Sequence, residues 1–201
     1  MYKLFHFPYS QHARRIVSLF EENQIPYELQ HVAMDKGEHM SDEFLAINPN
    51  HQVPVLEDGG LRIYESNAIL RYICNKHRLA NWYPENVEAR ARVDQWLDWN
   101  QCRMSPAVID IVFNKVFAGD KGDQKAIERG EKRLEELLPI LETQFQHALY
   151  LTGDKPTIAD LSVVSNIFQL GLADVKPTAK TADWCQRMMA LPGVQKSLPA
   201  H

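Results

Sequence analysis

The sequence predicts an α/β domain over residues 1–79, followed by an all-α domain over residues 87–201. Strand and helix signals alternate in the first part, whereas strand signals fade from Tyr83-Pro84 onward. Residues 80–86 carry turn residues between two periodic segments, and we interpret them as the linker. A chain of 201 residues can bury a substantial core in this arrangement without disulfides or metals.

The first domain is expected to follow the order βαβ and then αββα. The predicted strands are residues 2–7, 27–32, 53–56 and 61–64, and the predicted helices are residues 13–20, 43–47 and 66–73. The turn residues Glu57-Asp58-Gly59-Gly60 predict a hairpin between the last two strands. The βαβ start favours parallel pairing of the first two strands, whereas the hairpin makes the last two antiparallel.

The second domain shows helical periodicity and no strand signal. Its predicted helices are residues 87–117, 126–149 with an interruption near Pro139, 160–172 and a short last one at 184–191. Residues 118–123 form the predicted loop. Thr157 and Asp160 have the spacing of a helix-capping pair, so we assign them to folding and not to catalysis.

Composition excludes several classes of protein. Hydrophobic residues make up 45% and charged residues 24%, values typical of folded soluble proteins. No apolar run has the length of a membrane span, and residues 1–8 do not resemble a signal peptide. A net charge of −4 and a pI near 6.1 argue against a nucleic-acid-binding or anionic-membrane surface. The three cysteines, Cys74, Cys102 and Cys185, indicate reduced thiols of a cytosolic protein.

Ser10 stands between the first predicted strand and the first predicted helix. Position alone favours a helix cap, because a serine side chain can accept an unpaired amide of the first turn. The same location also suits a binding site, since a helix N-terminus and a hydroxyl together stabilise a ligand thiolate. The residues alone leave both interpretations open.

Two dipeptides at the ends of predicted strands have similar alternatives. Pro54 after Val53 is either an edge proline or a cis peptide that leaves neighbouring backbone groups free for an extended peptide ligand. Ser66 after Glu65 is either a second helix cap or a carboxylate site, with Glu65 able to hold an ammonium group. Together these features specify a zwitterionic peptide bound along one edge of the sheet.

Several ordered segments resemble one protein family. Residues 48–56 and 64–72 resemble the glutathione-binding signature of cytosolic glutathione transferases, and residues 151–160 resemble the folding motif of their helical domain. Residues 35–41, 82–84 and 89–94 are similar to theta-class and related bacterial members. The resemblance implies a thioredoxin-like domain followed by a helical domain in a cytoplasmic, detoxifying homodimer. It implies glutathione as co-substrate, a small hydrophobic electrophile as second substrate, and no metal, nucleic acid or membrane partner.

The resemblance also assigns roles to individual residues. Ser10 matches the catalytic serine of theta-like members, and Glu65 and Ser66 match the residues that hold the amino and carboxylate groups of the γ-glutamyl unit. Val53 matches the residue whose backbone pairs with the cysteinyl unit, before an expected cis Pro54.

The glycyl end of glutathione has its own matching positions. Gln52 and His39 match residues that bind this end, although His39 without its surrounding motif is typical of a solvated loop. Tyr9 is an alternative to the catalytic serine, because other classes of the family use tyrosine.

Other features leave alternative functions open. Theta enzymes carry a C-terminal extension over the site, whereas this sequence ends at His201, so we expect a more open electrophile pocket. Cys102 is interpreted as a buried structural thiol, with a redox role as the alternative. The alternative functions are a glutathione-dependent peroxide or disulfide reductase and a non-enzymatic glutathione-binding module on the same fold. A stripe through Ser105, Ile109 and Val112 is a candidate wall of the electrophile pocket.

Overall fold

A computed structural model of the protein describes residues 1–199. The chain divides into two compact units, of which the first comprises Met1–Arg78 and, at the other end of the described residues, 190–199. The second unit comprises Leu79–Met189. Residues 200 and 201 of the predicted second domain lie outside the described residues.

The first unit is built on a four-stranded sheet of order β2-β1-β3-β4. Its strands are β1 Tyr2–His6, β2 Tyr27–His31, β3 Val55–Asp58 and β4 Leu61–Tyr64. Strands β1 and β2 pair in parallel, with Tyr2 opposite Tyr27, whereas β3 pairs antiparallel with both β1 and β4. The parallel first pair and the antiparallel hairpin are therefore confirmed. Gly59 in the hairpin has a φ of +60°, a conformation that glycine adopts without steric cost.

Helices α1 Gln11–Glu22, α2 Asp42–Leu45 and α3 Ser66–His77 complete this unit together with α9 Pro192–Lys196. Short 3₁₀ turns at Met34–Lys36 and Glu38–Met40 lie between β2 and α2. The sequence analysis missed α9. It packs on α1, where a Cβ added to Gly193 would lie 2.6 Å from the carbonyl oxygen of Ser18. Only a glycine therefore permits this close approach.

The second unit contains α4 Val87–Trp99, α5 Ser105–Val112, α6 Gln124–His147, α7 Ile158–Leu170 and α8 Ala179–Met189. The segments Asn100–Met104 and Phe113–Phe117 are π-helical. Helix α6 passes through Pro139, so the predicted interruption is wrong. The predicted last helix at 184–191 is also wrong in extent, because α8 begins at Ala179 and a new helix begins at Pro192.

The core of the second unit contains a fully buried carboxylate. Asp160 and Thr157 form the predicted capping box at the start of α7. The carboxylate of Asp160 also accepts the backbone N–H of Leu151 at 2.9 Å and the indole N–H of Trp184 at 3.0 Å. These bonds connect three segments of the unit through one side chain, as expected for a folding role. Among residues 1–199, no helix is long and apolar enough to cross a membrane.

Candidate active site

The topology of the sheet brings the predicted site residues to one edge. Strand β4 runs parallel to β1, because each pairs antiparallel with β3. Ser10 follows β1, Glu65 follows β4, and Val53 precedes β3, so all three lie at the same edge of the sheet. This edge carries the carboxyl end of β1 and the N-termini of α1 and α3, where backbone N–H groups favour anions.

Ser10 caps α1, as its position in the sequence predicts. Its backbone is extended, with φ −78° and ψ 110°, and its Oγ accepts the N–H of Ala13 at 3.3 Å. The N–H of Ser10 donates to the carbonyl of Phe7 at 2.9 Å, which closes the turn between β1 and α1. Within residues 1–199 the Ser10 hydroxyl proton has no acceptor, so it is available to a ligand.

Val53 lies directly before β3 and outside the hydrogen-bond ladder of the sheet. The Val53–Pro54 peptide bond is cis, as predicted, and β3 begins only at Val55. The side chain of Val53 is buried in an apolar cluster with Phe5 and Phe44. Because the register of the sheet starts at Val55, the N–H and C=O of Val53 have no backbone partner in the described part of the chain.

Asn48 organises the loop that leads to this edge, a role that the sequence analysis missed. It is buried, and its Nδ2 donates to the carbonyl of Gln52 at 2.7 Å. Its Oδ1 accepts the N–H of Asn50 at 3.0 Å, which closes a turn around the side chain. An asparagine before a proline is a recognisable turn signal in the sequence, but its burial is not.

Glu65 holds a backbone conformation that few non-glycine residues adopt. Its φ is +69° and its ψ is 106°, and strain of this kind is concentrated at functional sites. Glu65 is the N-cap of α3 and Ser66 is the first residue inside the helix, so the interpretation of Ser66 as a cap is wrong. The side chain of Glu65 is exposed and makes no capping bond, which leaves its carboxylate available for an ammonium group.

Ser66 is buried and bonded to a residue that the sequence analysis did not assign. The guanidinium of Arg15, on α1, donates from one nitrogen to Ser66 Oγ and to Asn67 Oδ1, each at 3.3 Å. Burial, and to a smaller extent the positive charge of Arg14, lowers the pKa of Arg15 to about 9. The guanidinium of Arg15 therefore stays protonated at neutral pH. No sequence pattern indicates this contact, because it joins residues about fifty positions apart.

The two residues matched to the glycyl end lie on separate loops of the same unit. His39 lies in the 3₁₀ turn Glu38–Met40, and its Nδ1 is buried without a hydrogen-bond partner in the described chain. Gln52 is exposed, one residue before Val53. No hydrogen bond or ring contact joins His39 to Gln52 among residues 1–199.

Two other predicted features differ in the structure. Cys102 is exposed on the π-helical turn, so its interpretation as a buried thiol is wrong. Ser105 and Val112 are buried, and only Ile109 of the predicted stripe is exposed. Ile109 instead shares an exposed apolar face with Phe113, Val116 and Phe117. No group of three or more metal-ligating side chains occurs within residues 1–199.

The architecture is a two-part fold, with an α/β unit on a four-stranded sheet followed by a helical unit. The candidate site lies at the end of the sheet that carries the N-termini of α1 and α3. The chain matches the family models "Glutathione S-transferase, N-terminal domain" over residues 1–75 and "Glutathione S-transferase, C-terminal domain" over residues 104–192. It belongs to the glutathione S-transferase family, which confirms the resemblance.

Similar proteins come from animals and plants. Human glutathione S-transferase theta-1 is 33% identical over 201 residues, which cover 96% of this chain and 84% of the relative. A probable glutathione S-transferase of Oryza sativa subsp. japonica is 33% identical over 204 residues, covering 96% of this chain and 94% of that protein.

Solved structures confirm the two-part fold. The apo form of human glutathione S-transferase T1-1 superposes with a TM-score of 0.90 at 30% identity, covering 98% of this chain and 87% of that one. Human glutathione transferase theta-2, solved in complex with glutathione and an unknown ligand, has a TM-score of 0.87 at 30% identity. That alignment covers 98% of this chain and 86% of the theta-2 chain.

Proposed function

We propose that the protein is a glutathione transferase that joins the glutathione thiolate to small hydrophobic electrophiles. The observation that supports this most strongly is the common sheet edge, where Ser10, Val53 and Glu65 lie with the N-termini of α1 and α3. A tripeptide with one thiol, one ammonium and two carboxylates has a matching group for each of these features. Membership of the glutathione S-transferase family supports the same function.

The proposed binding mode assigns one group of glutathione to each position. The γ-glutamyl carboxylate meets Ser66 and the first N–H groups of α3, and the ammonium group meets the exposed carboxylate of Glu65. The cysteinyl backbone pairs with the free N–H and C=O of Val53. The glycyl carboxylate lies toward Gln52 and His39, whose buried Nδ1 has no partner within residues 1–199.

Ser10 activates the sulfur by donating its hydroxyl proton in a hydrogen bond. An unperturbed thiol has a pKa of about 8.5, and the thiolate is the nucleophile. Lowering that pKa by about two units requires about 2.7 kcal/mol. A charged hydrogen bond contributes about 1.5–3 kcal/mol and the helix N-terminus about 0.3–1 kcal/mol, so the two together are sufficient. The thiol proton is released to solvent and the thiolate forms a C–S bond with the electrophilic carbon. A halide leaves with its bonding electrons, or the C–O bond of an epoxide breaks and its oxygen takes a proton from solvent.

The wider biological setting follows the family and is proposed with the function. We infer a cytoplasmic, detoxifying homodimer, with a glutathione-binding domain at residues 1–79, a linker at 80–86 and a helical domain that begins at residue 87, while α9 packs on α1 of the first unit. The three cysteines are all unpaired, as in proteins of reducing compartments. The exposed apolar face of Ile109, Phe113, Val116 and Phe117 supports a hydrophobic second substrate.

The test combines calorimetry with an activity panel on the full chain. Glutathione should bind, and at least one of the aryl halides, alkyl halides or epoxides in the panel should be conjugated. Ophthalmic acid, which has a methyl group in place of the thiol, serves as the control ligand: it should bind but form no product. Tight glutathione binding without turnover of any electrophile would contradict the proposed transferase activity and favour a non-enzymatic binding module. Turnover of hydroperoxides or disulfides alone would favour a reductase.

A further inference from the structure

Arg15 lies behind the N-terminus of α3, at the position where the proposed γ-glutamyl carboxylate binds. It is fully buried on α1, and one of its guanidinium nitrogens reaches Ser66 Oγ and Asn67 Oδ1 at 3.3 Å each. Ser66 and Asn67 are themselves buried, so the contact is removed from bulk water. A charged side chain in such a place is costly unless it interacts with polar groups or an anion.

We propose that Arg15 is a positioning residue that makes this end of the sheet edge selective for a carboxylate. The inference rests on the proposed function, because it concerns the γ-glutamyl carboxylate of glutathione. Arg15 acts through Ser66 and Asn67, and it need not touch the ligand.

The hydrogen-bond directions explain how Arg15 acts. A serine hydroxyl has one proton and two lone pairs, and a guanidinium can only donate. Because Arg15 donates to Ser66 Oγ, the hydroxyl of Ser66 keeps its own proton to donate elsewhere. A carboxylate accepts such a bond, whereas an ammonium group cannot.

Charge adds to this orientation. A carboxylate that accepts the Ser66 hydroxyl lies about 4–6 Å from the guanidinium, a range in which an opposite charge stabilises the ionised form. Burial weakens screening by solvent, so the attraction between carboxylate and guanidinium is larger here than it would be between the same two groups at the surface. The partial positive charge of the α3 N-terminus acts in the same direction.

Two glutathione analogues separate this role from a merely structural one. 4-Aminobutyryl-cysteinylglycine lacks the γ-glutamyl carboxylate, and glutaryl-cysteinylglycine lacks the ammonium group. Arg15→Met should weaken binding of glutathione and of the glutaryl analogue about 10- to 100-fold, because their carboxylate loses the nearby guanidinium charge and the orientation of the Ser66 hydroxyl. Binding of the aminobutyryl analogue should change less than about threefold, because the group that Arg15 serves is absent.

Steady-state kinetics gives a second readout. In Arg15→Met the KM for glutathione should rise while kcat changes little, because the thiolate is held by Ser10. Arg15→Lys keeps the charge and should restore most of the preference for the carboxylate-bearing ligands. Arg62→Met, which removes an exposed arginine paired with Glu57, is the matched control and should leave all three affinities unchanged.

The outcomes distinguish this inference from the function on which it rests. If the wild-type protein binds no glutathione, the proposed function fails. If it binds glutathione but Arg15→Met weakens all three ligands equally, Arg15 is structural and only this inference is overturned. Should Arg15→Met not fold, Asn67→Ala removes one acceptor of the guanidinium instead. Unchanged discrimination between glutathione and the aminobutyryl analogue in a folded Asn67→Ala protein would also overturn it.

Discussion

The hydroxyl oxygen of Ser10 accepts the backbone N–H of Ala13 at 3.3 Å, and this bond uses only the lone pairs of the hydroxyl. The cap of α1 and the donor to a thiolate are therefore compatible roles of one side chain. The cap also fixes where the hydroxyl is held, at the first turn of the helix. Under the proposed function, the position of the helix and the chemistry of the site therefore depend on the same residue.

Replacing Ser10 by alanine should lower turnover more than glutathione affinity. The lost charged hydrogen bond corresponds to a decrease of about 10- to 150-fold in kcat/KM. The pKa of bound glutathione should rise toward its free value, as measured from the ultraviolet absorbance of the thiolate. Loss of the cap should also cost about 1 kcal/mol of stability, so activity must be compared well below the unfolding temperature. An unaltered titration of the bound thiol would remove Ser10 from the mechanism.

Replacing Tyr9 by phenylalanine should change turnover less than about threefold. Tyr9 is 42% exposed and precedes the cap, whereas the available proton at the α1 N-terminus belongs to Ser10. The measurement is kcat/KM with the thiolate titration, made in parallel with Ser10→Ala. A large loss in Tyr9→Phe, with Ser10→Ala nearly unaffected, would make Tyr9 the donor.

Comparing Glu65→Gly with Glu65→Ala should separate the effect of backbone strain on stability from the effect of the carboxylate on glutathione binding. Strain at a positive φ costs about 1–3 kcal/mol, and glycine removes it at an entropic cost of about 0.5–1 kcal/mol. Glu65→Gly should therefore be about 1 kcal/mol more stable than Glu65→Ala, which keeps the strained backbone. Both variants should bind glutathione about 10- to 100-fold more weakly, because both lose the carboxylate. Thermal unfolding and calorimetry measure the two effects, and equal stability of the two variants would refute the strain argument.

The sequence was sufficient to predict the four strands and the helices α1 to α3 of the first unit. Local signals carry part of this information: turn residues specified the hairpin, whereas Pro54 was open between an edge proline and a cis proline until the family resemblance favoured the cis peptide that the structure has. The family resemblance then ordered Ser10, Glu65 and the residues between them along one ligand. The predictions of strands, helices and the hairpin depend on residues that are near one another in the chain.

Features that depend on distant contacts could not be predicted. The contact of Arg15 with Ser66 exists only because α1 and α3 pack together, and α9 is placed by the fit of Gly193 against α1. The predicted break at Pro139 failed because packing holds α6 helical despite the missing N–H. Cys102 was misjudged because free cysteines are usually among the most buried residues, whereas this one lies exposed on the π-helical turn.

Labelling of the thiols in the folded protein should show one cysteine that reacts fast and two that react slowly. Cys102 is exposed, whereas burial raises the pKa of Cys74 and of Cys185 to about 12. Alkylation at neutral pH should therefore modify Cys102 first, and the other two only upon unfolding. Mass spectrometry of peptides after timed labelling measures this order. Cys102→Ser should abolish the fast phase and leave conjugation unchanged, whereas a loss of conjugation in this variant would restore the redox alternative.

Asp160 should titrate at an unusually high pH, and Trp184 reports on it. Burial raises the pKa of Asp160 to about 6, although four hydrogen bonds from Leu151, Thr157 and Trp184 act in the opposite direction. Because the folded pKa exceeds the unfolded value of about 3.9, folding favours the protonated form. Asp160 thus contributes stability that is fully present below about pH 4 and is lost as the pH rises through 6, up to about 3 kcal/mol.

Nuclear magnetic resonance can follow this titration without altering the carboxyl group. The indole N–H signal of Trp184, which donates to Asp160 at 3.0 Å, should shift with a midpoint near pH 6. The indole signals of Trp82, Trp96 and Trp99 are internal controls, because none of these side chains hydrogen-bonds Asp160, and Trp184→Phe assigns the signal. A midpoint below about pH 4 would mean that the four donors outweigh burial, because hydrogen bonds to a carboxylate favour its ionised form. The carboxylate would then stabilise the fold most at neutral pH and not in acid.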